Sequence, residues 1–340
     1  MKLYKNYLIS LFFILLNFFQ ETTFSQEKIK FSGYGATGYK IYDRNVLRDY
    51  NQEAYYEGKL QADVKINKHI DAQLDMRGSS EDERLVLREF SVKFDYLKYM
   101  KFKAGNIKKP FGLEQLVNTE DLLTIGRSFI QSSVADLGYA GRSISLEAYY
   151  NYNKKRPEFP YSYALAVMRD NSLNTCLAAR FSFHNDDLIW SLNYLFQHLG
   201  GEYPQNASGF SADLTYEKNS FSSSVEMMYV KDPFESLRHV QSGFGGNIYA
   251  FGLKSINALS IHIDGEVIKT IEPVLLAGVF FPDSKEKYSH TFEIITGGNI
   301  YLDKDLRLRI NGDLLLSRNR SNSAYSTIGS KVSFECQVMF

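Results

Sequence analysis

Lys331-Val332-Ser333-Phe334-Glu335-Cys336-Gln337-Val338-Met339-Phe340 alternates polar and apolar residues to the last position. Ile328, Val332, Phe334, Val338 and Phe340 fall on one face, and Lys331, Ser333, Glu335 and Gln337 fall on the other. Successive strand side chains point to opposite faces, so the segment predicts a ribbon with one greasy and one wet side. Such ribbons suit a closed barrel in lipid, apolar outside and polar within.

The same period recurs through most of the chain. Tyr56, Gly58, Leu60, Ala62, Val64 and Ile66 alternate with Glu57, Lys59, Gln61, Asp63 and Lys65. Leu306, Leu308, Ile310 and Leu314 oppose Arg307, Arg309, Asn311 and Asp313. The spacing is two, not the 3.6 of a helix. Several segments hold it for about nine residues or more, enough to cross a bilayer at a tilt. Strands of a soluble β-sandwich usually run about 5–6 residues. The sequence therefore predicts an all-β, transmembrane antiparallel β-barrel of about 16 strands, with 14 or 18 as the other even counts. The alternation is weakest over Gly243–Pro282, where Val274-Leu275-Leu276-Ala277-Gly278-Val279-Phe280-Phe281 is continuously apolar.

Turn signals divide the strands. Asn67-Lys68-His69, His184-Asn185-Asp186-Asp187, Glu217-Lys218-Asn219 and Asp303-Lys304-Asp305 read as tight periplasmic turns. Tyr42–Asn51, Tyr152–Pro160, Leu199–Ser208, Lys231–Gln241 and Asn319–Tyr325 read as outer loops. A terminal aromatic on an alternating strand, here Phe340, resembles the assembly signal of bacterial outer-membrane barrels and implies a barrel-assembly machinery as partner.

At the other end, Lys2 and Lys5 precede an apolar run from Leu8 to Phe19, and Thr23-Phe24-Ser25 offers small residues for cleavage. As a helix that run would reach only about 18 Å, short of the roughly 30 Å hydrocarbon core. Residues 1–25 are thus expected to be a signal peptide and 26–340 the barrel. No later run approaches the length of a membrane helix. Aromatic residues make up 15 % of the chain, with 24 Tyr and 25 Phe, which suits strands and interfacial girdles. Mean hydropathy is −0.28, as expected where only alternate residues meet lipid.

Basic and acidic residues balance at 39 each, without the basic excess that a nucleic-acid partner requires. Cys176 and Cys336 sit on opposite strand faces, polar and apolar respectively, so they read as free thiols.

One segment breaks the rhythm. Residues 107–140 lack alternation yet carry Leu113, Leu116, Val117, Leu122, Ile125 and Phe129, too apolar for a disordered loop. They are expected to fold into the barrel as a partly helical constriction loop. Asn118 or Thr119 is placed to cap a helix, with Glu120 and Asp121 in its first turn.

Gly105-Asn106-Ile107-Lys108-Lys109-Pro110-Phe111-Gly112-Leu113-Glu114 resembles the G-x-x-K-x-P-F-G-x-E stretch of the phosphate-selective porin O and P family. Gly126-Arg127-Ser128-Phe129 and Gly141-Arg142 resemble that family's downstream pieces. The likeness covers Lys103 to Tyr150. It implies a 16-stranded, trimeric porin with an infolded third loop and passive transport of small hydrophilic solutes or anions across the outer membrane.

Phosphate specificity is not carried over from that likeness. Anion selectivity needs a positive field at the constriction. The lumen-side basic residues read from alternation are Lys59, Lys65, Arg77, Lys93, Lys101, Lys103, Arg180, Arg307, Arg309 and Lys331. Against them stand Glu57, Asp63, Asp71, Asp75, Glu89, Glu147, Asp213, Glu217, Glu226, Asp313 and Glu335. The two sets nearly cancel. In the loop, Lys108, Lys109 and Arg127 are offset by Glu114, Glu120 and Asp121, so only a mild anion preference is expected.

Catalytic and metal-binding patterns are not recognised. His69, His184, His198, His239, His262 and His290 are scattered, and no ligand or triad spacing appears among them. Gly33, Gly35 and Gly38 lack the βαβ context of a dinucleotide loop. No enzyme activity and no cofactor are expected. The competing readings are a closed barrel with a structural or surface-binding role, and a sugar or peptide channel using lumenal tyrosines such as Tyr55 and Tyr149.

Overall fold

Each alternating segment forms a strand, and the strands pair in sequence order into one antiparallel sheet that closes on itself. The computed structural model describes residues 28–43, 51–80, 84–151, 158–169, 174–200, 204–243, 245–286, 288–319 and 322–340. The expected signal peptide lies outside the described residues, as do parts of the expected loops 42–51, 152–160, 199–208 and 319–325.

The wall begins with β1 (Ile29–Tyr42), β2 (Gln52–Asn67), β3 (Ile70–Ser79), β4 (Arg84–Leu97), β5 (Met100–Lys108) and β6 (Arg142–Tyr150). It continues through β7 (Tyr161–Arg169), β8 (Thr175–Asn185), β9 (Leu188–Leu199), β10 (Gln205–Lys218), β11 (Phe221–Asp232) and β12 (Ile248–Leu259). The short β13 (Ile261–His262) precedes β14 (Thr270–Phe281), β15 (His290–Asp303) and β16 (Leu306–Asn319). The short β17 (Asn322–Thr327) precedes β18 (Lys331–Met339). β12 pairs directly with β14, and β16 with β18, so β13 and β17 are appendages. The remaining sixteen strands close the barrel, the first of the expected counts.

Closure uses the last alternating segment of the chain. β18 lies against β1 from Tyr34↔Met339 to Tyr42↔Lys331. The Gly33 amide donates to the Phe340 carbonyl at 2.9 Å, and the Phe340 amide returns a bond to the Gly33 carbonyl at 3.1 Å. Burial follows the predicted parity: Phe334 and Val338 are 43 % and 49 % exposed on the outside, while Gln337 within is fully buried. The same inversion runs round the wall, with leucines and aromatics outside and serines, asparagines and charged residues inside. A continuous apolar exterior is the surface that lipid, not water, stabilises.

One expected outer loop lies at the other end. Lys98 pairs with Glu158 at 3.9 Å, and Tyr99 packs edge-on against Tyr150 and Phe159. Glu158 and Phe159 therefore sit beside the tight β4–β5 turn, at the periplasmic end. Strand order dictates this, because the infolded loop has already used the preceding outer connection.

The weak alternation over Gly243–Pro282 also finds its cause. Val274, Leu276 and Phe280 point inward and are buried, while Leu275 faces out. These inward side chains meet protein rather than water, so both faces of β14 are apolar.

Candidate functional site: the lumen and its infolded loop

The link between β5 and β6 turns into the bore instead of projecting outward. It contains α1 (Leu113–Leu116), a single turn at Thr119–Asp121, and α2 (Phe129–Val134). The expected cap at Asn118 or Thr119 starts only that single turn. The longer helix begins ten residues later, where the Ser128 hydroxyl accepts from the Gln131 amide at 3.1 Å. Ser128 supplies the oxygen that a helix start needs, whereas Asn118 makes no such cap bond.

Packing holds the loop against the far wall. Ile107, Phe111, Ile130, Val134 and Tyr139 form a buried cluster with inward residues such as Ala166, Ala178, Leu195, Met228 and Ala250. The wall is hollowed to receive them. A Cβ on Gly252 or Gly278 would lie 2.6 or 2.5 Å from Ile130, and one on Gly209 would lie 2.6 Å from Tyr139. Glycine here serves close approach rather than flexibility.

Charged groups complete the attachment. The amides at the starts of α1 and α2 donate to strand carboxylates: Leu113 to Glu226 at 2.5 Å and Phe129 to Glu293 at 2.6 Å. Lys254 stands between Glu226, at 3.1 Å, and Glu114, with which it forms a closer ion pair. Ser128 donates to Glu114 through both its amide, at 2.7 Å, and its hydroxyl, at 2.6 Å. Burial alone would raise the Glu114 carboxyl, but Lys254 and Ser128 hold it below the usual carboxylate value.

The loop residues singled out in the sequence divide into fixtures and wall. Lys108 reaches back to the Leu116 carbonyl and Asn118, both at 3.2 Å, and Lys109 donates to the Gly138 carbonyl at 2.5 Å. Glu120 accepts from Lys59 at 2.6 Å, while Asp121 accepts from Asn118 at 3.2 Å and is otherwise exposed. Arg127 donates to the Glu114 and Val117 carbonyls. Burial, partly offset by Glu114, and the neighbouring guanidiniums of Arg142, Arg77 and Arg88 pull Arg127 below its ordinary value.

The strand-borne cations also divide. Lys101 pairs with Asp95 and Lys103 with Glu89, both at 2.5 Å. Lys65 lies exposed opposite Asp71 near the periplasmic mouth, and Lys93 lies opposite Lys103 in the register. Arg307 and Arg309 clamp the loop by donating to the carbonyls of Glu120, Leu122 and Thr124, while Gln337 and Glu335 hold them from the wall. Arg180 departs from its expected pore-lining role. It points inward, but its guanidinium is sealed against Asp213 at 2.8 Å, with Asn193 and Ser191. Parity sets the face; the neighbouring strands decide whether anything reaches it.

A cavity of about 580 Å³ remains above the loop, on the outer side. Its lining cations are Lys40, Arg77, Arg88, Arg127, Arg309 and Lys331, and its lining acids are Glu57 and Glu335. Thus an interior balanced by count leaves a cation-rich open space, because Glu226 and Glu293 are spent on the loop while Glu89, Asp213 and Asp313 pair with Lys103, Arg180 and Lys331 elsewhere on the wall. Tyr55 lines the same cavity and donates to Glu335 at 2.7 Å.

Arg88, Arg142, Lys254 and Glu293 were missed by alternation. Arg88 was legible, because Leu85, Leu87, Phe90, Val92 and Phe94 show a spacing that slips from two to three at 87–90. That slip marks a β-bulge: Asp75 pairs with Glu89 and Met76 with Leu87, leaving Arg88 extra. Both cysteines are free, Cys176 inside and Cys336 outside. Among the described residues no group of three or more His, Cys, Asp or Glu is placed to hold a metal.

This is the fold of the porins. An anion-selective porin from Comamonas acidovorans superposes with a TM-score of 0.65 at 13% identity, over 92% of this chain and 99% of that one. OmpF of Salmonella typhi, in complex with daunomycin, gives 0.65 at 11%, over 92% and 97%. The trimer form of OmpT from Vibrio cholerae gives 0.61 at 8%, over 92% and 99%. No family model and no curated protein matches the sequence. Such low identities establish the architecture. Closed wall, apolar exterior and porin fold together define an integral β-barrel of the outer membrane.

Proposed function

We propose that the protein is a passive channel for small hydrophilic solutes, with the infolded loop as its constriction and a preference for anions. The observation that carries this reading is the cavity above the loop, whose lining holds six cations against two acids. In a narrow, low-dielectric bore that imbalance raises the local concentration of anions and lowers that of cations. The anion-selective porin of the same architecture agrees with the reading. So does the resemblance of residues 105–114 to the phosphate-selective family, although phosphate itself is not singled out.

The reading keeps residues 1–25 as a cleaved signal, Phe340 as the assembly signal and a homotrimer as the assembled form. The remaining alternative is a closed barrel, favoured by the sealed inner face of β7–β10, where Ser162, Ser182 and Ser191 are fully buried. Reconstitution in planar bilayers under a potassium chloride gradient separates the two. The channel reading expects stable single-channel current and a reversal potential displaced toward the chloride equilibrium. A silent membrane, with folded protein verified by heat-modifiable gel mobility, would leave the closed barrel.

A further inference from the structure

The lipid-facing side of β7–β11 ends, at the outer rim, in a row of polar and basic residues. Directly paired strand residues share a face, and Arg169 pairs with Ile144, which is 66 % exposed on the outside. By register the row continues through Thr175, His198 and Asn206. A ring nitrogen of His198 lies 2.7 Å from the Asn206 side-chain oxygen. Lys231 joins from β11, two residues after outward Tyr229 and opposite Tyr249, and its ammonium donates to the Asn206 carbonyl at 2.8 Å.

Two contrasts set this row apart from the other rim. At their periplasmic ends β7, β8 and β9 carry Tyr161, Phe183 and Trp190 in register, the aromatic girdle of a bilayer interface. Lys98, Lys218 and Lys304 at that end each stand beside a carboxylate, of Glu158, Asp187 and Asp305. At the outer rim neither Arg169 nor Lys231 has an ion-pair partner among the described residues. The acids that follow Lys231 are engaged. Asp232 is buried and caps α3 (Pro233–Gln241), accepting from the Phe234 and Glu235 amides at 2.9 Å, and Glu235 pairs with Arg238.

A cation facing lipid at a bilayer rim is stabilised by reaching headgroup phosphate. β7 and β11 are four strand spacings apart, so Arg169 and Lys231 stand roughly 19 Å from each other at the backbone. Between them Thr175, His198 and Asn206 offer hydroxyl, imidazole and amide groups, which match sugar hydroxyls. Beneath the row, exposed Val167, Leu177, Phe196, Phe210 and Tyr229 present an apolar strip for acyl chains. We propose that this face binds one phosphorylated glycolipid of the outer leaflet, a phosphate toward each cation and the sugars against the groups between. The site requires the outer-membrane barrel and is independent of whether the bore conducts.

The test refolds the mature protein in detergent without native lipid and titrates it with diphosphorylated lipid A in mixed micelles. Bound lipid is counted by native mass spectrometry. One retained lipid A per chain is expected, with monophosphorylated lipid A and phosphatidylglycerol held more weakly. Arg169→Gln combined with Lys231→Gln should raise the half-saturating concentration about tenfold, as two cations near a lipid phosphate imply. Arg169→Lys with Lys231→Arg keeps both charges and should stay near wild type. Both pairs lie on the outer surface, so heat-modifiable mobility and any single-channel current should not change. Equal binding by wild type and the Gln pair would overturn the site, as would phosphatidylglycerol held as tightly as lipid A. Loss of self-association in the Gln pair with lipid A binding intact would also overturn it, and would assign the face to a second copy of the chain.

Discussion

The two sides of the bore obey one alternation rule and end in opposite conditions. On the β10–β14 side, inward positions hold Gly209, Gly252, Leu276 and Gly278 and are covered by Ile130 and Tyr139. On the β1–β4 side, inward positions hold Lys40, Tyr55, Glu57, Arg77 and Arg88 and border open space. The first side behaves like a protein core and the second like a wetted wall. Inward position therefore does not mean pore-lining, and the loop decides which wall residues border open space.

The largest effect should come from cutting the loop from its covered side. Lys254→Met strands Glu114 and Glu226 without their cation, a change that costs about 3–5 kcal/mol when a buried pair is broken. Single-channel conductance should rise as the loop leaves the bore, and limited proteolysis should then cut within 113–134. Unchanged conductance would mean that the loop does not set the constriction.

Acid should act on the same attachment, in a defined direction. Glu114 is held below its ordinary value, so its stabilisation is full above the unfolded value of about 4.3 and is lost as pH falls through the lowered one. The part of any conductance change that Glu114 carries should therefore appear only in acid below pH 5 and not between pH 7 and pH 5. Glu114→Gln should remove this late transition.

Arg180→Gln sharpens the contrast between facing inward and lining a pore. It leaves Asp213 buried and unpaired, so the unfolding midpoint in detergent should drop by several degrees. The reversal potential should stay at the wild-type value. A shift toward cations would show that Arg180 is not sealed.

Smaller again is Gly278→Val, which places side-chain atoms where Ile130 already sits and should destabilise by about 1–3 kcal/mol. Adding Ile130→Ala should recover much of that loss in a double-mutant cycle of thermal midpoints. Independent losses would mean that the glycine is not there for close approach. Tyr55→Phe, on the open side, removes one hydrogen bond to Glu335 and should cost about 0.5–1.5 kcal/mol, with conductance unchanged.

Much of this was legible along the chain, for a physical reason. A strand's side chains alternate strictly, so the faces of β2, β16 and β18 follow from residue order, and the lipid-facing leucines with them. The break in period over 107–140 marked the infolded loop, and its Lys-Lys-Pro-Phe-Gly-x-Glu run holds two of the residues that attach it, Phe111 and Glu114. The slip from Leu87 to Phe90 encodes the bulge that admits Arg88, although a strict count of alternation passes over it. Other properties are long-range and have no local signal. Glu114 meets Lys254 across 140 positions, and Arg180 meets Asp213 across 33. The end at which residues 158–160 lie depends on how many strands precede them. Sequence thus determined the two faces of the wall, because each face is written into adjacent residues. Only the closed tertiary structure decided which inward charges were paired with the loop or the wall and which were left facing open space, because pairing depends on what stands across the bore.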